Sequence, residues 1–196
     1  MPDVIEQALL RVSGMICVIQ QYFLSLLYGS DIEGAAMQWA DVLNDPSLKD
    51  LPYKIELNQY GQIIMTPHRV IHSEIQSVLQ EELNHRLRGG RAVQEYAIQT
   101  SAGVRVADVV WRSDERWKTI RASDMGAAPI APEICIEVLS EGNADAEMQE
   151  KRGLYFEAGA QEVWLCDISG HLRFFALEGE LSDSRLVPSF PTRVEV

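Results

Sequence analysis

The chain has 196 residues, 46% of them hydrophobic and 23% charged, with a formal net charge of -12. That is enough chain for one ordinary globular domain with a sizeable core. The acidic balance excludes broad, nonspecific attraction to a polyanion, because proteins that hold nucleic acid by charge alone carry a basic footprint.

Residues 1–36 stand apart as an N-terminal extension, with Arg11 as their only basic residue. The run MICVIQQYFLSLLY is apolar but broken by Gln20 and Gln21, lacks a basic flank, and is shorter than the roughly 20 residues needed to span a bilayer. It reads as an amphipathic helix with no membrane as partner, a cryptic signal or membrane-surface segment being the alternative. Residues 37–196 read as one domain, and Met37 is an alternative start.

YKIELNQYGQIIM alternates on both sides of the turn-forming Asn58 to Gly61 and reads as a β-hairpin. Thr66 and Pro67 then open a helix whose stripe Ile71, Ile75, Val78, Leu79, Leu83 and Leu87 stops at Gly89 and Gly90. Strands are expected at AVQEYAIQT, VRVADVVW, EICIEVLS, EVWLCDI and LRFFAL, with a helix at about 144–158 between the third and fourth. Strands as apolar as ICIEVL are covered on both faces. The expected fold is therefore α/β, a mixed central sheet flanked by helices.

Three charged residues break this pattern. Alternation sets Asp108 on a strand face with Val106 and Val110, and Glu137 with Cys135 and Leu139. Lys151 has Met148, Leu154 and Tyr155 at one-turn spacing, which makes it a cation on the apolar stripe of its helix. Buried alone, each ion costs on the order of several kcal/mol, so the economical solution is that they meet. Three readings follow: solvated carboxylates with a snorkelling lysine, a structural salt bridge, or a hard-metal site. In the last, Asp108, Glu137 and a backbone carbonyl hold Mg²⁺ or Mn²⁺ and Lys151 acts on the substrate. Carboxylates that hold a cation also attract phosphate, which reconciles an acidic chain with a nucleic-acid substrate.

Other features are less specific. WRSDERWKTIR offers Arg112, Arg116 and Lys118 with Trp111 and Trp117 for a nucleic-acid backbone, or is a solvated loop balanced by Asp114 and Glu115. No GK[ST], HExxH or GxSxG motif occurs. Cys17, Cys135 and Cys166 show no CxxC spacing, which points to a reducing cytoplasm and away from disulfides or thiolate zinc.

Asp108, Glu137 in PEICIEVLS and Lys151 in AEMQEKRGLYFEAGAQEVWLCD together resemble the active-site pattern of the Uma family, a branch of the PD-(D/E)XK restriction-endonuclease-like superfamily. The similarity runs from about Gln38 to the end. YKIELNQYGQIIMTP resembles the family's opening hairpin, RVIHSEIQ its first core helix and GVRVADVVW its central strand. The resemblance implies a restriction-endonuclease-like fold and Mg²⁺- or Mn²⁺-dependent hydrolysis of DNA. It makes Asp108 and Glu137 metal ligands and Lys151 the catalytic lysine, moved to the helix from the place two residues after the acid, here Leu139.

Glu56 matches a recurrent family acid, a further ligand or water-positioning group, although alternation opposite Ile55 and Leu57 equally suits a surface glutamate. His72 matches a family histidine and also suits a satisfied core-edge residue. Ala107 stands where the family usually has proline, which relaxes the backbone ahead of Asp108. Cutting both strands with one site per chain implies a homodimer. The rival reading is a noncatalytic nuclease-fold module that binds nucleic acid or a protein partner.

Overall fold

β-branched and aromatic residues recur in most of the segments that form strands, and the computed structural model describes residues 36–123, 126–140 and 145–195. The expectations for residues 1–35 lie outside these. A short helix, α1 (Trp39–Asn44), precedes the hairpin β1 (Tyr53–Asn58) and β2 (Ile63–Pro67). In its turn, Asn58 Oδ1 accepts from the Tyr60 and Gln62 amides at 3.0 and 2.9 Å. Helix α2 (Val70–Arg86) leads to the long pair β3 (Gly90–Thr100) and β4 (Gly103–Ser113). Helix α3 (Asp114–Arg121), β5 (Ile134–Val138), α4 (Asp145–Glu157), β6 (Glu162–Cys166), β7 (Leu172–Ala176) and β8 (Gly179–Leu181) complete the order.

The strands form one mixed sheet, in the order β2-β1-β4-β5-β6-β7-β8, with β3 paired to β4. Only β5 and β6 are parallel, joined through α4 as a βαβ unit, and the other pairs are antiparallel. Helix α2 covers one face through Ile75, Leu79 and Leu83, which pack on Val109, Trp111, Ile134 and Ile136. Helix α4 covers the other, where Tyr155 meets Ala107, Val110 and Cys135. This is the mixed sheet flanked by helices that the sequence leads one to expect. No helix among the described residues is long and apolar enough to cross a membrane.

Two local expectations change. Thr66 and Pro67 do not open α2; they finish β2, opposite Lys54 and Tyr53. Proline is tolerated there because β2 is an edge strand with no second neighbour to receive its missing N–H. Accordingly Ile71 is 39% exposed and lies off the buried stripe. The segment after Trp111 is α3, not a loop: Ser113 caps it by accepting from the Arg116 amide at 3.0 Å, with Asp114 and Glu115 in its first turn and Lys118 and Arg121 in its last.

Strand β4 is the hinge of the architecture. Strand β3 runs along one side of it, while β1 and β5 share the other side: β1 pairs with Val104 and Gly103, and β5 with Val109, Val110 and Trp111. At the β1 end, Gly103 has φ +102°, and a Cβ there would lie 2.2 Å from the Leu57 carbonyl oxygen. Gly103→Ala is expected to cost about 3 kcal/mol, from left-handed strain plus the clash. A thermal melt should show a lower midpoint by about 6–12 °C for a domain of this size.

Candidate functional site

Where β1 and β5 part from each other, residues 105–108 of β4 face a seam that side chains close. Glu56 Oε1 on β1 accepts from the Val106 amide at 2.8 Å, and Arg105 Nη1 donates to the Leu57 carbonyl at 2.9 Å. Asp108 Oδ2 accepts from the Val138 amide of β5 at 2.6 Å. Carboxylates thus take up amides that a regular ladder would have satisfied with carbonyls, which fixes their positions through the backbone.

The alternation expected of β4 fails at Asp108. Ala107 and Val110, three residues apart, pack into the same cluster under α4, whereas Val109 and Trp111 face α2. Asp108 therefore does not share its face with Val110. The irregularity spans both strands, since Glu95, level with Asp108 in the β3 register, is skipped by the ladder and has φ +50°. Such a backbone is strained for a residue with a Cβ and typical of sites where side-chain direction matters.

Asp108, Glu137, Lys151 and Glu56 converge, each between 3% and 7% exposed. Lys151, buried on α4 beside Met148, Leu154 and Tyr155, reaches Glu56 Oε1 at 3.0 Å and Glu137 Oε2 at 3.5 Å. Glu56 is accordingly not a surface residue. Tyr155 donates its hydroxyl to Glu137 Oε1 at 2.5 Å. A second lysine completes the cluster: Lys54 of β1 lies 2.7 Å from Asp108 Oδ1 and 3.2 Å from Glu137 Oε2. Sequence reasoning missed Lys54, although its spacing from Glu56 puts both on one face of β1.

Lys54, Asp108, Glu137 and Lys151 border an open cavity, whose wall also includes His68, His72, Gln76, Glu95 and Ser140. His72 Nε2 is 3.2 Å from Ser140 Oγ, so His72 is half-buried at the cavity rim and hydrogen-bonded. Gln76 donates to Glu95 Oε1 at 2.7 Å. Arg112, Arg116 and Lys118 do not line this cavity. Arg112 stacks on Trp117 at 4.3 Å, Arg116 donates to the Ala131 and Gly159 carbonyls, and exposed Lys118 pairs with Glu115.

The charges are unequal in consequence. Burial alone would raise the Glu137 pKa, but the Lys151 and Lys54 ammonium groups overcome it and hold the carboxyl at about 2. Asp108 moves the other way: burial and the neighbouring Glu137 charge raise it despite Lys54. Burial pulls Lys54 down, yet Glu137, Asp108 and Glu56 keep it well above an ordinary lysine.

Glu137, depressed below its ordinary 4.5, stabilises the fold above that pH and loses this contribution as pH falls toward about 2. Asp108 acts in the opposite sense, its ionised form costing stability as pH rises through the raised value. Glu137→Gln is therefore expected to flatten the acid limb between pH 4.5 and about 2, read as urea midpoints at stepped pH. An unchanged slope would show that Glu137 carries no such linkage.

For a divalent cation the donor set is chemically apt. One oxygen each of Asp108 and Glu137 already converge on a cationic centre, the Lys54 ammonium, and both are hard carboxylate donors. Among the described residues no group of three or more His, Cys, Asp or Glu forms a metal cage. Two carboxylates are a donor set that fits Mg²⁺, which is held by one or two carboxylates and completes its shell with water or substrate phosphate.

The fold is similar to a crystal structure titled as a "putative nuclease belonging to DUF820" from Anabaena variabilis, with a TM-score of 0.51 and 24% identity over 62% of this chain and 71% of that one. No curated protein matches the chain. The sequence model of the Uma2 family, described as "Putative restriction endonuclease", matches residues 45–190, which include Glu56, Asp108, Glu137 and Lys151. With most of its length under that match, the chain belongs to the Uma2 family.

Proposed function

We propose that this protein is a metal-dependent endonuclease of the PD-(D/E)XK kind that hydrolyses phosphodiester bonds in DNA. The observation that carries the reading is the convergence of Asp108, Glu137 and Lys151 in one buried cluster at the wall of an open cavity. A protein whose fold needed only stability would gain little from four buried ionic groups and a part-buried fifth, since well-packed apolar residues do as well or better.

Asp108 and Glu137 are the groups to hold Mg²⁺ or Mn²⁺. Bound there, the ion supplies Lewis acidity and a more acidic water. Lys151 stabilises charge that grows on the phosphate and orients the attacking water. Glu56 positions Lys151 by accepting from it at 3.0 Å, while its tie to the Val106 amide keeps that acceptor fixed. Tyr155 holds Glu137 from behind and fixes which oxygen faces the cavity. His72 stands at the rim, 3.2 Å from Ser140, where it is available to a substrate phosphate or base.

The buried free thiols of Cys135 and Cys166 support a cytoplasmic setting. Cleavage of both strands calls for a homodimer, one site per strand.

The test is nicking of supercoiled plasmid in Mg²⁺ and in Mn²⁺ by the wild type and by Asp108→Ala protein shown to be folded. Metal-dependent nicking that Asp108→Ala lacks is the expected result. A folded wild type that cuts neither plasmid nor single-stranded DNA in either metal would favour a noncatalytic nuclease-fold module.

A further inference from the structure

The two lysines of the cluster are not equivalent. Lys151 touches Glu137 and Glu56, whereas Lys54 spans Asp108 and Glu137, the two carboxylates assigned to the ion. Its ammonium stands 2.7 and 3.2 Å from their oxygens. A cation that uses both carboxylates must contend with it. Lys54 is also suited to leaving: its head sits on a flexible stem of four carbons, and it borders the open cavity from β1.

The charge of the cluster argues the same way. Glu56, Asp108 and Glu137 against Lys54 and Lys151 leave one formal negative charge among the paired groups. A divalent cation added with both lysines retained turns this to one positive charge, the complement of a single phosphodiester. With Lys54 absent the loaded cluster is neutral and loses that complementarity.

We propose that Lys54 is a built-in counter-ion that occupies the cation position between Asp108 and Glu137, yields it to a divalent ion, and then serves as a phosphate-binding residue of the loaded site. Resting on the metal-dependent reading above, the inference adds a competitor and a substrate contact that the Asp108, Glu137 and Lys151 pattern does not contain. Metal occupancy and phosphate binding are thereby coupled through one side chain.

Calorimetric titration of Mn²⁺ without DNA tests it on the wild type, Lys54→Met, Lys54→Gln and Lys151→Met, each shown to be folded by circular dichroism. Removing a direct competitor should tighten Mn²⁺ binding about tenfold or more in Lys54→Met. Lys151→Met, which removes equal charge without clearing the space between Asp108 and Glu137, should show a clearly smaller gain. Lys54→Gln serves in place of Lys54→Met if the latter does not fold. In the same buffers with Ca²⁺, Lys54→Met should bind a labelled DNA duplex more weakly than the wild type.

Mn²⁺ affinity unchanged or weakened in the folded Lys54 variants, or raised equally by Lys151→Met, overturns the inference and leaves the metal reading intact. Absence of Mn²⁺ binding by every protein in the set overturns the metal reading itself. Tighter Mn²⁺ binding with undiminished DNA binding overturns the phosphate role.

Discussion

Lys151→Met is expected to lose about 3–5 kcal/mol of stability, because removing one partner leaves buried charge uncompensated, and Glu56→Gln combined with Lys151→Met is expected to recover most of it. Glu56 and Glu137 both lean on this ammonium, at 3.0 and 3.5 Å. A lone Lys151→Met change is therefore harmful whether the cluster is catalytic or merely structural, and stability alone does not separate the two. The double variant does. It replaces a buried ion pair by neutral groups of similar volume, a change that is often neutral or stabilising, while Lys54 still compensates Glu137. If Lys151 stabilises charge on the phosphate, the refolded double variant should nick plasmid about a hundredfold to a thousandfold more slowly, the scale seen when one positioned electrostatic donor is removed. Urea denaturation and single-turnover nicking on the same preparations provide both readings. A double variant that is stable and cuts like the wild type would make Lys151 a structural counter-ion only.

The part of this site that was legible in the sequence is the part that violated periodicity. Glu137 in ICIEV and Lys151 between Met148 and Leu154 are charged residues where burial was expected, and both are buried in the structure. Glu56 and Lys54 were obscured by the same rule. Alternation in KIEL assigns one face to Ile55 and Leu57 and sends the charged pair to solvent, yet Glu56 is 4% exposed. The rule presumes one wet face, and here the face carrying Lys54 and Glu56 turns into the seam beside β4 and toward α4. Asp108 is legible from its apolar neighbours, but Val110 does not share its face, because the irregularity at Glu95 and Asp108 is made by pairing between strands and leaves no mark in composition. α3 was legible and overlooked: Ser113 followed by Asp114 and Glu115, with Lys118 and Arg121 a turn or two later, is an N-cap and a charge order that suit a helix.

Glu162 gives the second large effect, and it shows by contrast what is unusual about the site. Glu162 is 1% exposed, and among the described residues no ion pair reaches its carboxylate. Four donors satisfy it instead: the Trp164 indole and the Ser184 hydroxyl on one oxygen, each at 2.7 Å, and the Arg185 and Leu186 amides on the other at 2.7 and 2.9 Å. Through these bonds β6 anchors the segment that carries Val187 and Phe190 onto Trp164, whose ring lies 4.7 Å from that of Phe190. Glu162→Leu fills the volume but strands the buried Trp164 and Ser184 donors and the part-buried Arg185 and Leu186 amides, and should cost about 3–5 kcal/mol, since each buried unsatisfied group carries a desolvation penalty of about 1–3 kcal/mol and the segment can relax in part. A lower melting midpoint by about 6–20 °C follows for a domain of this size. Glu162→Gln, which keeps acceptor capacity on one oxygen only, should fall between. Nicking per folded molecule should be unchanged at low temperature, because the donors tie down the C-terminal segment and not the cavity wall. Loss of nicking in folded Glu162→Leu would instead mean that β6 transmits strain to its parallel neighbour β5, where Leu165 lies opposite Glu137.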